Sequence, residues 1–148
     1  MKKITTLLTA AIMLVATSAF ALEGEKATPV VKEGFKKDFI AASSVNWKKV
    51  SDFYFADFII SGKNVTAAYN EDGELLGTSQ NVNAKQLPVA VTAAIAEKYG
   101  DYKLSDAATE VNFDGSTNYY VVVENGKQSL ELKCNTEGYI SVEKKTKK

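Results

Sequence analysis

Apolar positions in this chain fall into two kinds of rhythm. After Pro29, Val31, Phe35 and Phe39 recur every four residues among Lys32, Glu33, Lys36, Lys37 and Asp38, the spacing of an amphipathic helix of about three turns. After Pro88, Val91, Ile95 and Tyr99 repeat that spacing in an Ala-rich segment that Gly100 closes. Proline suits the first turn because its missing N–H would have no partner there. Between and after these helices the period falls to two. Val45 to Val50, Phe53 to Ile60, Val65 to Tyr69 and Glu74 to Thr78 read as strands, as do Ala107 to Phe113, Tyr119 to Glu124, Ser129 to Cys134 and Tyr139 to Glu143. Turn clusters separate them, including Ser61-Gly62-Lys63-Asn64, Asn70-Glu71-Asp72-Gly73 and Asn135-Thr136-Glu137-Gly138.

The two stretches overlay. Displaced by 60 residues, Val31, Phe35 and Phe39 fall on Val91, Ile95 and Tyr99; displaced by 65, Tyr54, Phe58, Tyr69, Asn70 and Gly73 fall on Tyr119, Val123, Cys134, Asn135 and Gly138. The growth in offset places a longer link around Asp101 to Ser116. The pattern reads as an internal duplication. The expected fold is α+β: a tandem repeat of one helix plus a four-stranded antiparallel sheet, at about 28–80 and 86–143, with the helices on one sheet face.

Residues 1–21 read as an address. Lys2 and Lys3 precede an apolar run, Ile4 to Ala16, too short to span a bilayer comfortably, and Ala19-Phe20-Ala21 has the small residues a signal peptidase accepts. Cleavage after Ala21 would leave a single domain at 22–148, periplasmic or secreted, with no stable membrane insertion. The formal charge of zero falls to −2 when Lys2 and Lys3 leave, which argues against nucleic-acid binding.

Composition narrows the chemistry. With no His and one Cys, the chain has no Ser-His-Asp or Cys-His pair, no His-ligated metal site and no internal disulfide. No catalytic residue, metal site or cofactor is expected. Cys134 alternates with Glu131 and Lys133 onto the face of Leu130 and Leu132, so it reads as a small buried hydrophobe rather than a reactive thiol. Asn70 to Glu74 lacks the ligand ladder of a calcium loop and is accounted for by a hairpin turn. The tail Lys144 to Lys148 reads as a frayed, solubilising end.

Several of these elements carry a family likeness. A helix, Trp47 opening the strands, Tyr69-Asn70-Glu71-Asp72-Gly73-Glu74-Leu75-Leu76, a Leu87-Pro88 helix start, Tyr119-Tyr120-Val121 and Asn135-Thr136-Glu137-Gly138 follow in order. This order resembles the PepSY-like, beta-lactamase-inhibitor-like family of secreted bacterial proteins of the Bacteroides type. The resemblance covers nearly all of 22–148. It implies tandem helix-plus-sheet units, export to the periplasm and no catalytic activity. Its motifs are turn and core residues, which specify fold rather than function.

A binding surface follows from alternation. On Phe53 to Ile60, Tyr54, Ala56, Phe58 and Ile60 share one face; Phe53, Phe55, Asp57 and Ile59 share the other. The 65-residue offset puts Tyr120, Val122 and Glu124 with the second set. Asp57 and Glu124 mark that set as the face without helices, because unpaired acids do not point into a core. Phe53, Phe55, Ile59, Tyr120 and Val122 are therefore the candidate partner-binding residues, and the partner class is another periplasmic protein. The expected role is a non-catalytic protein-binding module, an inhibitor or accessory factor, in which Phe55→Ser abolishes capture and leaves the fold intact. The alternatives are a carrier or sensor of a small apolar ligand and, more remotely, a carboxylate-based hydrolase. Trp47 fits either surface.

Overall fold

The computed structural model describes residues 27–148, so the leader expected at 1–21 lies outside the described residues. Helix α1 spans Pro29–Asp38. The Thr28 hydroxyl accepts from Val31 N at 3.3 Å, Pro29 occupies the first turn, and Lys36 and Lys37 stand where the helix dipole favours cations. Helix α2 spans Val89–Lys98; Pro88 caps it without a side-chain bond, and Tyr99 closes it. Each helix buries a two-residue stripe, Val31 and Phe35 or Val91 and Ile95.

Eight strands follow: β1 Ser43–Val50, β2 Phe53–Ile60, β3 Lys63–Tyr69, β4 Leu75–Asn83, β5 Lys103–Phe113, β6 Ser116–Glu124, β7 Gln128–Asn135 and β8 Ile140–Lys147. They form one antiparallel sheet in the order β1 to β8. This corrects the fold class expected from the sequence. The described chain is a mostly-β fold with one eight-stranded sheet and two α-helices, not a tandem repeat of one helix plus a four-stranded α+β sheet. The short-range pattern encodes hairpins and helices, but whether successive strands close into separate sheets or continue one is decided by pairing that no local period records.

Several segments differ in extent, β4 among them, which starts at Leu75 and runs on to Asn83 rather than ending at Thr78. The link expected around Asp101 to Ser116 is mostly strand, because β5 pairs along Lys103–Phe113 with β6, broken by an irregularity between Leu104 and Ala108. Lys63 and Asn64 leave the expected turn and pair with Ile60 and Ile59. The lysine-rich tail is not frayed: β8 pairs with β7 from Cys134↔Ile140 to Gln128↔Lys147. Exposed edge strands tolerate and favour lysines, which discourage pairing with another chain.

The described residues divide into two compact units, one ending at Gln80 and the other spanning Asn81–Lys148. The core of the first is aromatic. Phe35 meets Phe58 at 5.0 Å and Trp47 at 5.3 Å, both edge-on, and Ala56, Ala67 and Tyr69 complete the floor. The Tyr69 hydroxyl donates to Asp38 Oδ2 at 2.9 Å and ties β3 to the end of α1. The core of the second is aliphatic: Val91 and Ile95 rest on Val121, Val123, Leu130, Leu132 and Cys134. Burial pushes the Cys134 thiol up to about 11.

Turn geometry sets how closely α1 approaches its sheet. Asn70 Oδ1 accepts from the N–H groups of Asp72 and Glu74 and shapes the β3–β4 turn around Gly73, whose φ is +75°. A Cβ on Gly73 would sit 2.7 Å from the Val30 carbonyl oxygen, and one on Gly34 would sit 2.2 Å from the Gly73 carbonyl oxygen. Backbone therefore touches backbone. In the second unit, Asn135 builds the same turn, and a Cβ on Gly138, at φ +91°, would sit 2.7 Å from the Ala90 carbonyl oxygen.

Gly73→Ala combines a left-handed φ with a clash against helix backbone and is expected to cost about 2 kcal/mol or more. Gly126→Ala, where an added Cβ meets nothing, should change stability little; urea denaturation of both variants checks the difference. Cys134 should resist a thiol-specific reagent at pH 8 in the folded protein and react fully in denaturant, since burial holds it as the neutral thiol. Its contribution to stability is present below the ordinary thiol range and is lost as pH rises toward 11.

Candidate functional site

The helix side of β2 carries Tyr54, Ala56 and Phe58, all part of the α1 core. Phe53, Phe55, Asp57 and Ile59 point the other way, and none belongs to that core. Asp57 is satisfied on this second face. The Lys48 ammonium donates to its Oδ2 at 2.8 Å from β1, and the Thr66 hydroxyl donates to its Oδ1 at 2.6 Å from β3. With both oxygens engaged, Asp57 orders the face rather than offering a free base.

The apolar residues of that face differ sharply in access. Phe55, registered between Lys48 and Ala68, is 0% exposed; Phe53 is half-buried; Ile59 is 37% exposed. The surface of the first unit available to a partner is therefore Ile59 with the rim of Phe53.

In the second unit, Tyr120, Val122 and Glu124 lie opposite the α2 core, which takes Tyr119, Val121 and Val123 instead. Tyr120 sits between Thr109 and Lys133 and is 6% exposed. Burial, reinforced by the carboxylates of Glu143 and Glu131, pushes its hydroxyl up to about 12. Val122, opposite Glu131, is 38% exposed. Glu124 accepts from the Lys148 ammonium at 2.8 Å, which holds its carboxyl below the usual range.

All five candidate residues thus stand on the face opposite the helices within their own units, as alternation requires. The structure separates them by access, which alternation cannot do. Trp47 joins the helix side, against Phe35 and Tyr69. Among the described residues no three His, Cys, Asp or Glu side chains are grouped to hold a metal, and no helix is long and apolar enough to cross a membrane.

A site that the sequence reading passed over lies on the helix side of the first unit. Lys32, Phe35, Lys36 and Phe39 of α1, with Ile40, Ala42, Val45 and Trp47, line a groove of about 460 Å³. The spacing of the four α1 residues is a helical stripe visible in the sequence. That β1 leaves this stripe partly open is not.

No protein-family model and no curated protein matches the chain. Solved structures do. A BLIP-like protein from Bacteroides fragilis is 22% identical, with 83% of this chain and 87% of that one aligned at a TM-score of 0.68. A DUF2874 family protein from Bacteroides ovatus is 21% identical over 84% and 89% of the two chains, TM-score 0.71. A protein from Bacteroides eggerthii, provisionally called periplasmic, is 20% identical over 83% and 90%, TM-score 0.69. The chain shares the fold of these proteins, consistent with the beta-lactamase-inhibitor-like resemblance.

Because Phe55 has no exposed surface, Phe55→Ser should destabilise the protein by about 3–5 kcal/mol, contrary to the expectation that it spares the fold. Ile59→Asp and Val122→Asp should each cost no more than about 1 kcal/mol. Urea midpoints of the three variants separate the buried position from the accessible ones.

Proposed function

We propose that this chain is a non-catalytic, exported protein-binding module that docks another periplasmic protein, as an inhibitor or accessory factor, through the sheet face opposite its helices. One observation carries the reading: in each unit the strand face opposite the helix presents an exposed aliphatic residue, Ile59 or Val122, next along the strand to a paired carboxylate, Asp57 or Glu124. Accessible apolar side chains on an ordered, hydrogen-bonded surface are the usual makings of an interface centre with a polar rim. Phe53, Phe55 and Tyr120 share those faces with less exposed surface. The sequence supports export through residues 1–21, with their charged start, short apolar run and Ala19-Phe20-Ala21. The BLIP-like neighbour adds a precedent of fold.

The test is quantitative affinity capture from periplasmic extract on immobilised wild type and on the Ile59→Asp/Val122→Asp double variant, both first shown to be folded. A protein retained by the wild type and lost by at least tenfold on the variant is the expected result. Equal retention on both baits, or no specific retention, would sink the reading.

A further inference from the structure

We infer that the groove between α1 and edge strand β1 binds a medium-length alkyl carboxylate, a free fatty acid, with its chain along the aromatic wall and its head on Lys32 and Lys36. This goes beyond the proposed docking face, from which it is separated by the thickness of the sheet.

The groove has the size and composition of a ligand site. Its volume of about 460 Å³ falls within the 300–1,000 Å³ typical of small-molecule pockets. Apart from the two lysines, every lining residue is apolar: Phe35 and Phe39 from α1, Ile40 and Ala42 from the connection, Val45 and Trp47 from β1. Ile40 is 90% exposed at the lip, a large aliphatic side chain with little to cover it. At the same end, β1 carries a register shift between Ser43 and Asn46, and Ser44 takes a φ of +53°, so the edge strand departs from regular pairing beside the opening.

Charge selects the head group. Helix α1 sorts its charges by side. The surface towards Gly73 carries Glu33, Lys37 and Asp38, and the depression there is shared with Asp72 and Glu74. The surface towards β1 carries only Lys32 and Lys36, one helical turn apart, and no acid lines the groove. Neither ammonium is in an ion pair among the described residues. Lys32 is half-buried, its stem along the wall. Two unpaired cations beside an aromatic trough are complementary to an anion with an apolar tail. A carboxylate takes hydrogen bonds from both ammonium groups, and a neutral alcohol of equal length gains little from either charge.

Trp47 is the only tryptophan in the chain and lines the groove, so its fluorescence reports occupancy directly. Titrating the purified protein with decanoate below its micelle concentration should give a saturable change. The Lys32→Gln/Lys36→Gln variant should bind at least about tenfold more weakly, as expected on losing charge-assisted hydrogen bonds. Decanol should bind the wild type more weakly than decanoate. Should the Gln variant lose fold by circular dichroism, Lys32→Arg/Lys36→Arg, which retains both charges, is expected to keep binding. Absence of saturation, equal binding of decanol and decanoate, or a folded Gln variant that binds like wild type would each overturn the inference.

Discussion

Everything else in this fold depends on a short helix reaching only one side of its strands. Each α-helix has ten residues and buries two of them. Strict alternation in β2 and β6 meets that constraint by sending Tyr54, Ala56 and Phe58, or Tyr119, Val121 and Val123, to the helix. Among the described residues, the intervening side chains belong to neither helix core, although Phe55 and Tyr120 are buried. The approach itself needs glycine: Gly73 meets α1 backbone, and Gly138 meets Ala90 and Ala94 of α2. A larger residue at either turn would push the helix away from the stripe that anchors it.

From this separation come two surfaces with different chemistry. Opposite the helices, polar groups are paired, as in Lys48 and Thr66 on Asp57, and isolated aliphatic residues stand exposed. Such a surface suits a broad protein contact. On the helix side of the first unit, α1 does not fully cover β1, and the residual trough combines aromatic walls with two cations. Concave, apolar and charged at one lip, it suits a small amphiphile.

Much of this was legible in the residues, and the gaps have physical causes. Strand β2 matches its sequence reading at both ends because the apolar run is dense and bounded by Ser51-Asp52 and Ser61-Gly62. Strands β5 and β8 extend well beyond theirs because Lys103, Ser105 and Asp106 leave Leu104 as a lone apolar position and Lys144 to Lys147 are polar; their pairing comes from neighbouring strands more than from their own side chains. The single sheet escaped the reading for a related reason, since strand order is a long-range property. At the candidate face, orientation followed from a period of two, but the contrast between buried Phe55 and exposed Ile59 depends on neighbours contributed by other strands. Sequence likewise shows the Lys32, Phe35, Lys36, Phe39 stripe, while the trough exists only because Trp47 and Val45 stand opposite it.

A protein partner is proposed to sit opposite the helices. Site-specific photo-cross-linking tests it most directly, with benzoylphenylalanine placed at position 122 or, separately, at exposed Val89 of α2, in cells that export the chain. A discrete cross-linked protein from position 122 and none from position 89 is expected. The same adduct from both positions, or an adduct from position 89 alone, would contradict it.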